Sequence, residues 1–162
     1  MFIGAINAWM RSVLSQAAQG WRGLPIYVAC SGNFTIERIL AGLKLGPIHS
    51  NDVSIYSCAL GWHLAGQPQR YEVIDDEWRW LEPYLEPGVG QIATLLLLTR
   101  VLPFERDNAY AKRMMAAYLA KWPTLHASTV GRVKRATEGV SVASYFAGDC
   151  RDFIEASDKN AG

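Results

Sequence analysis

The 162-residue sequence has no long apolar run, no marked excess of either charge and few residues of the metal-binding kind. Sixteen basic against fifteen acidic side chains leave a formal net charge of +1, so the basic excess common in nucleic-acid-binding proteins is missing. Its absence does not exclude DNA contact, because the contacting part can lie outside this stretch. The three histidines, His49, His63 and His126, stand isolated, without a His-x-x-x-His, Glu-x-x-His or paired-carboxylate spacing, and no metal is expected. Three cysteines, Cys30, Cys58 and Cys150, are odd in number and form no C-x-x-C pair. That excludes a disulfide framework and points to reduced thiols in a cytoplasmic setting. The most apolar run, Ile92 to Leu102, is too short to span a bilayer and carries Arg100, so it reads as a buried helix and no membrane is expected. A hydrolase nucleophile elbow is absent, and so is the three-glycine dinucleotide fingerprint, which counts against a nicotinamide-dependent oxidoreductase. Half the residues are hydrophobic and six are Trp, enough for one globular domain with a real core.

What is present centres on Pro25 to Asp52, which reads as one nucleotide-binding β-loop-α-β unit. Ile26, Tyr27, Val28 and Ala29 have the pattern of a strand buried on both faces of a parallel sheet. Ser31-Gly32-Asn33 lets the backbone turn sharply and approach a ligand, although an ordinary βα turn has the same composition. Ile36, Ile39, Leu40 and Leu43 then mark a helical stripe, with Glu37, Arg38 and Lys44 away from it, until Gly46-Pro47 breaks the helix. Ile48-His49-Ser50 is a second strand, ending on Asn51-Asp52. Asp52 follows Gly32 by twenty residues, the separation at which a carboxylate at the tip of the second strand meets ribose hydroxyls. It can equally cap a helix starting at Val53.

Elsewhere the pattern is helical. Ile3, Ile6, Met10, Val13, Leu14 and Ala17 make one apolar face of a first helix ending at Gly20, expected to pack on the sheet, with Trp9 or Trp21 as possible ligand neighbours. Val53 to Ala65 predicts another, with Tyr56, Ala59, Leu60, His63 and Leu64 on one face. Residues 66–139 form a helical insertion: Asp75 caps a helix bearing Trp78, Leu81 and Leu85; Pro87-Gly88 interrupts; Tyr110, Met114, Ala117 and Tyr118 mark a helix stopped by Trp122-Pro123. A last helix has Val130, Val133 and Thr137 inward and Arg132, Lys134 and Arg135 outward. With Lys112, Arg113 and Lys121 these cations are candidates to meet DNA phosphates, and a solvated helix face accounts for them as well. Val142 to Ala147 supply a third strand, followed by Asp149 and Asp152 in a polar turn and helix.

The runs YVACSGNFTIERIL and HSNDVSIYSCALG resemble the cofactor-binding motifs of class I S-adenosylmethionine-dependent methyltransferases. Among these the chain looks closest to the DNA adenine-N6 enzymes described as antirestriction methyltransferases of phages and mobile elements. The resemblance implies that Cys30, Ser31, Gly32, Asn33 and Phe34 pass under the methionine part of S-adenosylmethionine and that Asp52 holds its ribose. It also implies that Asp149, in Tyr145-Phe146-Ala147-Gly148-Asp149, meets the adenine edge, with Phe153 as an apolar neighbour. As a helix N-cap, Asp149 has a local reading too. The Asn/Asp-Pro-Pro-Tyr/Phe motif that holds the target amino group in such enzymes has no counterpart, since no Pro-Pro pair occurs. The resemblance therefore covers the cofactor-binding half, and a catalytic half is expected elsewhere, beyond the polar turn at Ser157 to Gly162.

The expected architecture is an α/β, partial Rossmann-like methyltransferase fold within one domain, 1–162. Residues 1–65 and 140–162 form the cofactor-binding part, with three parallel strands in the order 3-2-1, and 66–139 the insertion between strands 2 and 3. Strand 1 would then present an unpaired apolar edge, so completion by a C-terminal half or by a homo-oligomer is expected. The alternative function is a non-catalytic module that uses the same fold to hold a nucleotide or a protein.

Overall fold

A computed structural model describes residues 6–104 and 108–159. Ile3 and the segment 160–162 lie outside the described residues. The chain divides into two compact units, residues 1–67 with 139–162, and residues 68–138.

The first unit is α/β, as expected, with a parallel sheet in the order β1-β2-β3: β1 is Ile26–Val28, β2 Ile48–Asp52 and β3 Ser144–Ala147. Tyr27 pairs with His49 and His49 with Ser144; Val28 pairs with Ser50 and Ser50 with Tyr145. Among the described residues β1 pairs with β2 alone. Alternation along the strands then separates two faces. Ile26, Val28, Ile48, Ser50 and Tyr145 are buried on one, under α2 (Thr35–Leu43) and α3 (Ile55–Leu64). The other carries half-buried Tyr27 and His49, and exposed Ser144 and Phe146. It is covered by α7 (Cys150–Lys159), whose Phe153 meets Tyr27 edge-on and stacks on Phe146. β1 is thus buried on one face, not on both, because the second face is built from aromatic and polar side chains.

Local chemistry sets the boundaries. β1 ends at Val28, so Ala29, expected within the strand, falls outside it, and Cys30 is exposed with its backbone at φ 55°. α3 starts at Ile55 and not at Val53 because Asp52 Oδ1 accepts the N–H groups of Val53 and Ser54, leaving Ser54 as the N-cap. Its buried face includes Gly61, where a Cβ would lie 2.1 Å from the Tyr145 ring. Only a missing side chain allows that helix so close to β3. The expected turn after Ser157 is instead the end of α7, up to Lys159.

The first helix departs further from expectation. α1 (Ala8–Ala17) is capped by Asn7 Oδ1 on Met10 N at 2.8 Å and meets α2, yet none of its own residues is buried. Trp9 is 72 % exposed, and Met10 and Val13 are exposed as well. Its apolar stripe is real but does not pack on the sheet. Glu37 reverses the other way: placed off the stripe by periodicity, it is fully buried.

The second unit is helical. Asp75 Oδ1 accepts Glu77 N at 3.0 Å and opens a 3₁₀ helix, Asp76–Tyr84, where an α-helix was expected; Pro83 inside it removes an N–H that an α-helix would use. α4 (Val89–Val101) is buried on nearly every side, with Ile92, Ala93, Thr94 and Val101 fully enclosed, and packs along α6 (Trp122–Thr137). α5 (Ala109–Ala120) lies between them in sequence. It buries Ala111, while Tyr110, expected inward, is 66 % exposed. Trp122-Pro123 does end α5, but it also opens α6: proline in the first turn sacrifices no hydrogen bond. Trp122 is buried among Trp80, Tyr84 and His126, and His126 Nε2 lies 3.1 Å from the Gly90 carbonyl of α4. No described helix is long and apolar enough to cross a membrane.

Candidate functional site

The carboxyl ends of the three strands bring together residues far apart in sequence. After β1 the chain makes a tight loop in which Cys30, Gly32 and Phe34 all take left-handed conformations, φ 55°, 54° and 54°. For Gly32 this costs nothing, and a Cβ there would meet only the Cys30 carbonyl at 4.0 Å. For Cys30 and Phe34 it is a strained state that the surroundings must hold, at about 1–3 kcal/mol each. Phe34 is held by its own ring, 1 % exposed and 6.0 Å from Tyr145; burying such a ring contributes about 1.5–3 kcal/mol. The side chain of Phe34 thus belongs to the core. Asn33 is exposed, and Ser31 and Gly32 are half-buried.

Asp52 grips this loop. Its Oδ2 accepts the Gly32 N–H at 2.8 Å while Oδ1 accepts Val53 N at 2.8 Å and Ser54 N at 2.9 Å. Asp52 therefore caps the turn into α3, one of its two readings, and in addition contacts the glycine loop across twenty residues. A carboxylate has about four lone-pair positions, so three bonds leave room for a hydroxyl. Ser57 Oγ donates to Gly32 O at 2.9 Å, and Tyr145 Oη to Asp52 O at 3.0 Å.

The loop after β3 arrives at the same edge. Asp149 is exposed, and its Oδ1 accepts Arg151 N at 2.7 Å, so it caps α7. Phe153, 6 % exposed, packs under β1 and β3. The Cys30 thiol registers the convergence. Although exposed, it is pushed up, first by partial desolvation, then by a hydrogen bond with Cys150 and by the negative charges of Asp52 and Asp149. Cys58, beneath Tyr145, is also pushed up, chiefly by burial.

Two buried groups of this unit were not singled out from the sequence. Glu37 receives Ser50 Oγ at 3.0 Å on Oε1, while Oε2 has no partner among the described residues. Burial pushes its carboxyl up, against the opposing hydrogen bonds of Ser31, its own backbone and Ser50. Asn51, 1 % exposed, donates Nδ2 to Phe146 O at 3.0 Å and Gly148 O at 2.7 Å, leaving Oδ1 unpartnered among the described residues. Such an unmatched acceptor costs about 1–3 kcal/mol. A polar pair ending a strand is the signal that marks Asn51; nothing in the pattern marks Glu37.

Arg132, Lys134 and Arg135 belong to α6 of the second unit and are exposed, as expected. From Asn108 to Thr137 the chain holds Lys112, Arg113, Lys121 and these three cations, with no Asp or Glu. That local imbalance is hidden in the neutral total. A cavity of about 320 Å³ also lies in this unit, lined by Arg70, Tyr71, Glu72, Glu82, Leu85 and Glu86 among others, none of them a site residue expected from the sequence. No group of three or more His, Cys, Asp and Glu among the described residues is arranged to hold a metal ion.

No curated protein and no solved structure matches the chain. The family model described as Phage DNA Adenine Methylase-like domain 1 matches residues 2–162. With the match running over nearly its whole length, and a Rossmann-like parallel sheet in its first unit, the chain belongs to this family of phage DNA adenine methylase-like domains.

Proposed function

We propose that the first unit binds S-adenosylmethionine and that the chain carries the cofactor-binding part of a DNA adenine-N6 methyltransferase, of the phage or mobile-element kind that protects DNA from restriction. The Asp52 to Gly32 contact carries the reading. It joins the loop after β1 to the acid ending β2, at the strand ends where Asp149 also lies. The residues fit such a ligand. Asp52 keeps a lone pair for ribose, the loop around Gly32 offers close backbone approach, and exposed Asp149 has a free oxygen for an amino edge. When bound, the cofactor supplies an electrophilic methyl group. The chain's own contribution is to bind and orient it, since the sequence has no Asn/Asp-Pro-Pro-Tyr/Phe motif to hold a target amine. The α5 to α6 segment, with six cations and no acid, is proposed to meet DNA phosphates through Arg132, Lys134 and Arg135.

Calorimetric titration tests the cofactor reading. S-adenosylmethionine is expected to bind and NAD not, with Asp52→Ala at least about tenfold weaker, since a charge-assisted hydrogen bond contributes roughly 1.5–3 kcal/mol. A folded chain that binds neither ligand, or a variant that binds equally well, overturns it. For DNA, reversing Arg132, Lys134 and Arg135 to Glu should weaken duplex binding and flatten its salt dependence, by about 0.9 in slope for each phosphate that is no longer neutralised.

A further inference from the structure

Asn51 stands where the two loops of the candidate site meet the sheet. Its main-chain carbonyl accepts the N–H of Ser31 at 2.8 Å, from the loop that carries Gly32. Its side-chain Nδ2 donates to Phe146 O at 3.0 Å and to Gly148 O at 2.7 Å, in the turn that carries Asp149. These two oxygens fix the orientation of the amide, because the opposite one would point Oδ1 at both of them. The side chain is enclosed, so it is not a surface group that happens to find partners.

We propose that Asn51 is the positioning residue of this site: through its carbonyl and its amide it sets the glycine loop and the Asp149 turn in register with each other. A ligand spanning the two then meets both in place. The side-chain requirement is chemical and not only one of volume. A leucine would fill similar space but leave the Phe146 and Gly148 carbonyls without the donor they have. An aspartate has the same shape but, ionised, turns a negative oxygen toward them; protonated, it restores one donor.

That last property supplies the experiment. In ¹⁵N-labelled Asn51→Asp, the amide signals of Ser31 and Gly32 and those of Gly148 and Asp149 are followed in ligand-free protein from pH 5 to 8. Both sets are expected to move together with one midpoint, above the ordinary carboxylate value of about 3.9; in the wild type, where Glu37 titrates beside Ser31 alone, no midpoint is to be shared by the two sets. S-adenosylmethionine affinity should fall at least tenfold above that midpoint and recover below it. Loops that shift independently, or a folded variant with wild-type affinity throughout, overturn the proposal. The affinity readout rests on the cofactor reading and the amide readout does not. If the wild type binds no S-adenosylmethionine, that reading fails while the amide signals still decide the role of Asn51. Should Asn51→Asp not fold, Asn51→Ser, which keeps one donor at shorter reach, is expected to loosen both loops together; movement of one alone counts against the proposal.

Discussion

The two faces of the small sheet are made by opposite means. Under α2 and α3, five strand side chains are buried, a buried carboxyl is bonded to Ser50, and a glycine lets α3 touch the Tyr145 ring. Under α7, aromatic rings supply most of the packing: Tyr27 stacks on His49 at 4.9 Å, Phe146 on Phe153 at 6.1 Å, and His49 Nδ1 lies 2.8 Å from Ser144 Oγ. The first face is close-packed and so intolerant of change in either direction. The second is half open, and its rings lose less when altered. Alternation along a strand can therefore give one sheet a rigid side and a forgiving side.

That contrast can be broken at its strongest point by Gly61→Val. The new side chain would collide with the Tyr145 ring, and a loss of about 3 kcal/mol is expected, or roughly 6–12 °C in Tm. Unchanged thermal stability would mean that the face is not close-packed. On the open side, Phe153→Ala removes the buried ring by which α7 meets β1 and β3. Denaturant titration should show about 2 kcal/mol, below the usual range for a fully enclosed Phe because one side of the contact is already exposed.

Glu37 gives a smaller effect, legible only against pH. Its carboxyl is raised above an ordinary value near 4.5 by burial, so the folded state holds its proton more tightly than the unfolded one. The stability this confers is complete below about pH 4.5 and is lost as pH rises through the higher folded value. Glu37→Gln should remove that slope, so that Tm curves of variant and wild type diverge across this window; parallel curves would leave Glu37 without a titrating role. Phe146→Ser is the smallest expected change, within about 0.5 kcal/mol, because the ring it removes is already 38 % exposed. A loss as large as that of Phe153→Ala would show the open face to be closed after all.

Much of the first unit is legible from the sequence because its signals are local. Val28 into Ser31-Gly32-Asn33, the Ile36 to Leu43 stripe and the spacing to Asp52 each follow from a turn or a period, and together they give the parallel sheet. Ala29 reads as strand because it extends an apolar run in sequence, whereas the chain has already left the sheet after Val28 and turns to φ 55° at Cys30. Glu37 reads as outward because periodicity weighs a carboxyl as solvent-seeking; a hydroxyl on β2, Ser50, reverses that. Tyr110 and Trp122 show the same limit in the second unit. An aromatic at helical spacing marks no direction until its neighbours are known, and one proves exposed while the other is enclosed.

The loop after β1 also bears on discrimination among ligands. Chains of backbone N–H groups in left-handed turns are natural seats for phosphate. Here three of the five N–H groups from Cys30 to Phe34 are already given away: Ser31 to the Asn51 carbonyl, Gly32 to the Asp52 carboxylate and Phe34 to the Ser31 carbonyl. The protein has filled its own anion hole with its own anion. A pyrophosphate entering this loop would have to displace a carboxylate, whereas a hydroxyl could share it.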